Sequence, residues 1–204
     1  MSDGGLLAQP ALIEFGRTER LGKPDGPAGV TVTLRNDLAI ASIIARRGMI
    51  PALGERVEAM FGMMLPSGPH GVRQENLSIL GTGPGRWMFV QDGGTPSFAE
   101  ALARDLAEFA SVSDHSDGYA VFEVSGPFVR QVLAKGVAID LHHNAFGAGN
   151  AAVTAIAHIG AILWQTDDAP HYRIAVFRSS AQSFWHWLSD SARAFGLEYH
   201  LYTE

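Results

Sequence analysis

Phe98, Leu102 and Phe109 return as Phe184, Leu188 and Phe195, each 86 residues further along the chain. Apolar positions that recur in register mark a repeated supersecondary unit. A chain of 204 residues has room for two such units and little else. A second match, Ile44-Ala45-Arg46-Arg47-Gly48 with Leu133-Ala134-Lys135-Gly136, precedes the first in each half. Helical spacing recurs by coincidence in many amphipathic helices, so it is the shared order of the two matches that carries the repeat. Each half is too small to be robust alone, and the two are expected to join sheets or share a core.

Residues 1–28 mix Gly4, Gly5, Pro10, Gly22, Pro24, Gly26 and Pro27 with charges. They read as an irregular arm with at most a short helix over 12–15. From Val30 the pattern is regular. Val30, Val32 and Leu34 alternate with Thr31 and Thr33 as a strand, and Asn36 or Asp37 then caps an expected helix bearing Ile40, Ile43 and Ile44. Pro51 opens a second helix with Leu53, Val57, Met60 and Phe61 at helical spacing. Pro66 to Gly71 is loop, 77–80 and 87–90 form a hairpin, and Phe98, Leu102, Leu106 and Phe109 line one side of an amphipathic helix. The second half repeats the order, with a strand at 119–124 and a helix that Ser125-Gly126-Pro127 opens and Lys135-Gly136 closes. Strands at 153–164 and 172–177 follow, and Ser179 or Ser180 starts a last helix. The expected fold is α+β, mainly antiparallel, with helices on one side of the sheet. Its organisation is an arm over 1–28 and a single domain over 29–204. That domain holds two strand-helix-hairpin-helix pseudo-repeats, about 29–112 and 113–204.

Composition removes whole classes of function. With no cysteine there are no disulfides, thiolate nucleophiles, zinc fingers or iron–sulfur ligands. A net charge of −6 has the wrong sign for following a nucleic acid backbone. The longest largely apolar run, 151–164, is too short for a membrane span and holds His158, and Met1-Ser2-Asp3-Gly4-Gly5 lacks the basic region of a signal peptide. The chain reads as cytoplasmic. Counting Gly and leaving out Tyr, about 56% of residues are apolar, and only 18% are charged. Too few charges to cover an isolated surface point to apolar surface covered by another subunit.

Gly81-Thr82-Gly83-Pro84-Gly85-Arg86 has the glycines of an anion cradle, but it leads into a strand and Pro84 lacks a donor, which favours a hairpin turn. Asp140, His142, His143 and Asn144 form the densest polar cluster. Adjacent histidines diverge on strand and helix alike, so a capping or interface role is favoured over a metal site. Ser116, Ser125 and Ser179 lack a strained nucleophile elbow, and Asp114 and Asp117 read as turn residues. Phe184, Trp185, His186 and Trp187 cannot all face one core from a helix. Trp185 and Trp187, with Trp87 and Trp164, are therefore the candidate partner-interface residues. As anchors, Trp185 and Trp187 would be replaceable by Ala with the fold intact and assembly weakened.

Taken together, the segments resemble the gamma subunit family of heterotetrameric sarcosine oxidases over roughly residues 30–200. The resemblance rests on Gly83-Pro84-Gly85-Arg86-Trp87, Asp114-His115-Ser116, Ser125-Gly126-Pro127, Leu133-Ala134-Lys135-Gly136 and Asp140-Leu141-His142. It continues through Phe146, Thr154, Trp164, Phe177-Arg178-Ser179 and Phe184-Trp185-His186-Trp187-Leu188. His143 stands where many relatives carry proline. The resemblance implies a fold like the folate-binding part of aminomethyltransferases. It also implies a complex with alpha, beta and delta subunits that oxidatively demethylates sarcosine to glycine. In such a complex FAD, FMN and NAD sit on alpha and beta, tetrahydrofolate accepts the one-carbon unit, and oxygen is reduced to hydrogen peroxide. The gamma chain is then non-catalytic, with no cofactor and no metal of its own. The alternative is a small folate-binding module with Arg86 or Arg178 near the folate tail. Such a site needs a buried carboxylate or amide to pair the pterin ring.

Overall fold

The computed structural model describes residue 12, residues 19–23 and residues 25–202. The first half runs β1 (Glu19–Leu21), β2 (Val30–Arg35), β3 (Ala39–Ala45), α1 (Ile50–Phe61), β4 (Gly71–Gln74), β5 (Leu77–Gly83), β6 (Arg86–Gln91), α2 (Phe98–Asp105) and β7 (Ala110–Asp114). The second runs β8 (Tyr119–Ser125), α3 (Val129–Leu133), β9 (Ala151–Ile156), β10 (Ile159–Gln165), β11 (Tyr172–Phe177), α4 (Ala181–Ala192) and β12 (Leu197–Leu201). Local signals set the helices. α1 takes Pro51 in its first turn, buries Leu53 and Val57, and ends at Gly62, whose φ of 67° glycine adopts without strain.

Two sheets result. Five strands order as β4-β5-β6-β3-β7 and seven as β1-β12-β2-β8-β11-β10-β9. Every pairing is antiparallel except that of β12 with β2. Both sheets are threaded alike, as strand, helix, three-strand meander, helix, strand. β3-α1-β4-β5-β6-α2-β7 is followed by β8-α3-β9-β10-β11-α4-β12, with β2 inserted between β8 and β12.

Strand alternation deals side chains to both faces of each sheet. On the outer face of the five-stranded sheet, Ile43 and Phe89 pack with Leu53 of α1 and Leu102 of α2. On the outer face of the seven-stranded sheet, Phe122 and Tyr172 pack with Val132 of α3 and Phe184 of α4. The inner faces meet on Ile40, Leu80, Met88, Val121, Ile162, Trp164 and Ala175. The molecule is four layers deep, helix, sheet, sheet, helix, and each large apolar side chain buried in it contributes roughly 1.5–3 kcal/mol.

The structure corrects several expectations. Residues 39–45 are a strand and not a helix, because Ile40 and Ile43 must reach opposite cores and β-branched side chains fit a pleated surface. Ile44-Ala45-Arg46-Arg47-Gly48 consequently leaves a strand whereas Leu133-Ala134-Lys135-Gly136 leaves a helix, so that match is not structural. The 153–164 run is two strands joined by a tight turn, with Ala157 and His158 at φ 50° and 68°. The helices end at Asp105 and Ala192, before Phe109 and Phe195. Strands at β4, β7 and β12 join the sheets, and a strand at β1 replaces part of the irregular arm. Of the two expected arrangements the halves take the second, keeping separate sheets that share a core. The helix expected over 12–15 lies outside the described residues except for Leu12, which is buried in the core under α3 and α4.

Candidate functional site

One end of the inter-sheet layer is charged. Arg35 ends β2 opposite Val121, and Arg173 of β11 lies opposite Glu123 of β8, so all reach the layer where the other sheet presents Asp92. The Arg173 guanidinium grips Asp92 with two bonds, at 2.7 and 3.0 Å, and Glu123 with a third at 2.8 Å. Arg35 makes a fork with Asp37 at 2.7 and 2.6 Å, donates to Glu123 at 3.0 Å, and lies 4.2 Å from the centre of the Tyr202 ring. Arg73 of β4 adds a bond to Asp92 at 2.8 Å. Three cations and three anions balance across both sheets. Arg173 is 4% and Arg35 9% exposed, so solvent screens their bonds to Asp92 and Asp37 less than those of the outer Arg73 and Glu123.

Burial raises the carboxyls of Asp37 and Asp92, but the Arg35 bonds to the first, and those of Arg173 then Arg73 to the second, more than reverse it. Both titrate below the usual carboxylate range. Burial likewise opposes the Arg35 and Arg173 charges, and their carboxylate partners outweigh it, so both hold their protons more tightly than a free guanidinium. Each depressed carboxyl stabilises the fold wherever pH exceeds the unfolded value of about 3.9, and that stabilisation disappears as pH falls toward the folded value. The arginines have no alkaline counterpart within the working range. The stability difference between the native chain and Asp92→Asn is therefore expected to shrink from about pH 6 to about pH 3 in urea titrations. A difference that stays constant over that range would contradict it.

The other ends of the same strands hold a cleft of about 280 Å³. Tyr119 at the start of β8 stacks on Phe177 at the end of β11, with ring centres 5.1 Å apart, and His115 lies 5.8 Å from Tyr119. Burial raises the Tyr119 phenol, so it remains a donor at neutral pH. Ser42, Thr82 and Thr154 supply hydroxyls to the lining, and Arg86 stands exposed at the edge. Arg178 follows β11 outside this lining, its backbone N–H donating to Gly118 O at 2.9 Å.

The tryptophans lie in the chain's own cores. Trp87, 4% exposed, donates to Pro66 O at 2.9 Å, and Trp164 is buried between the sheets. Trp185 packs on Tyr199 of β12 at 4.7 Å. That strand buries the ring which a single helix face cannot. Only Trp187 is half-exposed, lying over Gly136, where an added Cβ would fall 2.6 Å from its ring. The polar cluster is a turn, in which Asp140 accepts from the backbone N–H of His142 at 2.8 Å. Asp114 accepts from both the backbone and hydroxyl of Ser116, whose oxygen in turn accepts from Ile40 N–H at 3.0 Å. The glycine-rich segment is the β5–β6 turn, and Gly81 approaches the 66–69 segment so closely that a Cβ would lie 2.1 Å from Gly68 O.

The model of the sarcosine oxidase gamma subunit family matches residues 47–194, which span both sheets. This chain belongs to that family. It is 32% identical to the sarcosine oxidase gamma subunit of a Corynebacterium species, strain P-1, over 85% of this chain and 86% of that one. The Arthrobacter gamma subunit is 30% identical over 83% and 84%. Among solved structures, a chain of heterotetrameric sarcosine oxidase from Corynebacterium sp. U-96, in complex with pyrrole 2-carboxylate, superposes with a TM-score of 0.74 at 26% identity. That match covers 84% of this chain and 87% of the other. Aminomethyltransferase T of Bartonella henselae shares the fold, with a TM-score of 0.62 at 14% identity, and this chain spans 48% of its length.

The folate alternative needs a buried carboxylate or amide, and the inter-sheet cleft is one place to look for it. Its lining offers a cation, aromatic rings and hydroxyls, but neither carboxylate nor amide to pair a pterin. The partly buried carboxylates Asp37 and Asp92 are held by arginines at the other end of the layer. The residues of this cleft therefore do not fit a pterin, whereas a second inter-sheet hollow of about 220 Å³ is lined by Arg73, Asn150 and the buried amide of Gln165, whose Oε1, like Trp164 Nε1, has no hydrogen-bond partner among the described residues.

Proposed function

We propose that this chain is the non-catalytic gamma subunit of a heterotetrameric sarcosine oxidase, buttressing the larger subunits of the complex. The observation that carries this is the likeness to a sarcosine oxidase chain along most of both chains, in sequence and in fold. The chain's own chemistry agrees. Its most buried charges are consumed in tying two sheets together. In this reading FAD, FMN and NAD sit on the alpha and beta subunits, with a delta subunit completing the tetramer. Sarcosine gives glycine, its methyl carbon passes to tetrahydrofolate, and oxygen takes up the electrons as hydrogen peroxide. The chain is organised as an arm over 1–28 and one domain of two pseudo-repeats over 29–204, and it works in the cytoplasm. No helix among the described residues is long and apolar enough to cross a membrane.

The test is coexpression with the alpha, beta and delta subunits. Alone, the chain is expected to be colourless and to make no peroxide from sarcosine. With the others it is expected to copurify in a yellow complex that does. An active yellow complex that leaves this chain behind would overturn the proposal.

A further inference from the structure

Large exposed apolar side chains gather on one side of the molecule. Ile44, at 46% exposure, leaves β3 directly opposite Arg86, and Ile50, at 50%, starts α1 against the Gly85 turn. Met64 follows α1 at 71% exposure, while Val153 and Phe177, at 60% and 55%, border the inter-sheet cleft. Ile50, Met64, Val153 and Phe177 line a single trough, and Ile44 stands beside Arg86 at its edge. The cleft shares Thr82, Trp87 and Val153 with a larger depression of about 630 Å³ under the β5–β6 turn. That depression shares Ile50, Pro66 and Trp87 with a third, of about 300 Å³, along α1. A continuous apolar surface of this kind is the mark of a docking site.

Charge and shape together select the occupant. Arg86 stands at the cleft end of the trough, is exposed, and makes no ion pair among the described residues. Neither the cleft nor the depression beside it has an acidic residue in its lining, and the trough's own carboxylates, Glu55 and Glu58, lie at its far end along α1. A carboxylate is the group that best satisfies the Arg86 guanidinium once a partner takes it out of water. A two-fold contact with a second copy would set the same concave surface against itself, and one hollow does not fill another.

We infer that this trough is where the chain docks onto a different subunit of its complex, receiving an apolar segment that carries a carboxylate opposite Arg86. The inference rests on the reading of the chain as a subunit of a heteromeric oxidase. It moves the partner contact from the aromatic helix α4 to the opposite sheet's side of the molecule, where Ile44, Ile50 and Met64 stand exposed.

The test uses the complex coexpressed with alpha, beta and delta subunits, comparing the native chain with Arg86→Glu, Arg86→Lys, the double variant Ile50→Asp/Met64→Asp, and Gln182→Asp on the exposed face of α4. All substituted side chains are exposed, and urea midpoints verify that each variant folds. Arg86→Glu and the double variant are expected to weaken copurification about tenfold or more, with Arg86→Lys between them and the native chain. Gln182→Asp is expected to assemble normally. If the native chain assembles and the trough variants match it, the docking surface lies elsewhere and the inference is overturned. If the trough variants abolish a homodimer of the chain alone but leave the complex intact, the occupant is a second copy and the inference is likewise overturned. If the native chain itself fails to join the complex, the subunit reading fails first.

Discussion

Arg173→Met is expected to lower the stability of the isolated chain by about 3–5 kcal/mol, read as a lower urea midpoint with an unchanged slope. The methionine fills similar space and keeps the strand, so packing changes little. What changes is that Asp92 loses its two-bond partner at 2.7 and 3.0 Å and Glu123 loses a donor at 2.8 Å. A partly buried anion that loses its principal cation costs more than the pair contributed, because it is already partly stripped of water. Arg73 still reaches Asp92, and Arg35 still reaches Glu123. These remaining bonds keep the loss within that range. If stranded charge is the cause, adding Asp92→Asn to Arg173→Met recovers part of the stability. A double variant that is simply additive would assign the loss to packing.

Trp185→Ala is expected to cost about 3–5 kcal/mol as well, through a different mechanism. The ring is 5% exposed, packed on Tyr199 and sealed among the side chains of α4 and the seven-stranded sheet. Truncation leaves a cavity that the strand β12 cannot close without shifting its parallel partner β2. Trp187→Ala, on the half-exposed ring over Gly136, is expected to cost less. A Trp185→Ala chain as stable as the native one, yet defective in assembly, would return the ring to the interface.

What is legible in the sequence depends on how local its cause is. The helix at Ile50–Phe61 is legible because Pro51 and the Leu53, Val57 spacing sit inside one segment. The β5–β6 hairpin is legible because its turn residues lie beside its apolar strands. β3 is not, because Ile40 and Ile43 serve two cores on opposite faces, and that spacing also fits one face of a helix. β12 is a short strand whose partners β1 and β2 lie at the far end of the sequence. Missing it makes the Trp185 ring look homeless. Family membership is legible because motif order survives where element types are misread. The charged end of the inter-sheet layer leaves only a faint trace, a lone Glu123 and a lone Arg173 within apolar strands. Nothing local says that these two meet, or that Asp92 joins them from the other sheet. The exposed trough is equally hidden, since Ile44, Met64 and Phe177 look like core residues until the layers are assembled.

The parallel pairing of β2 with β12 also sets an order in time. Val30–Arg35 leaves the ribosome more than 150 residues ahead of the strand it lies beside, Leu197–Leu201. Until that late segment emerges, β2 has one edge without its partner while the five-stranded sheet, whose strands all fall between residues 39 and 114, can already close. Contacts that span this much chain are slow to form. The nascent protein therefore carries an open edge from the synthesis of β2 until that of β12, and Leu197–Leu201 decides whether that edge is capped by its own chain or by a neighbour's.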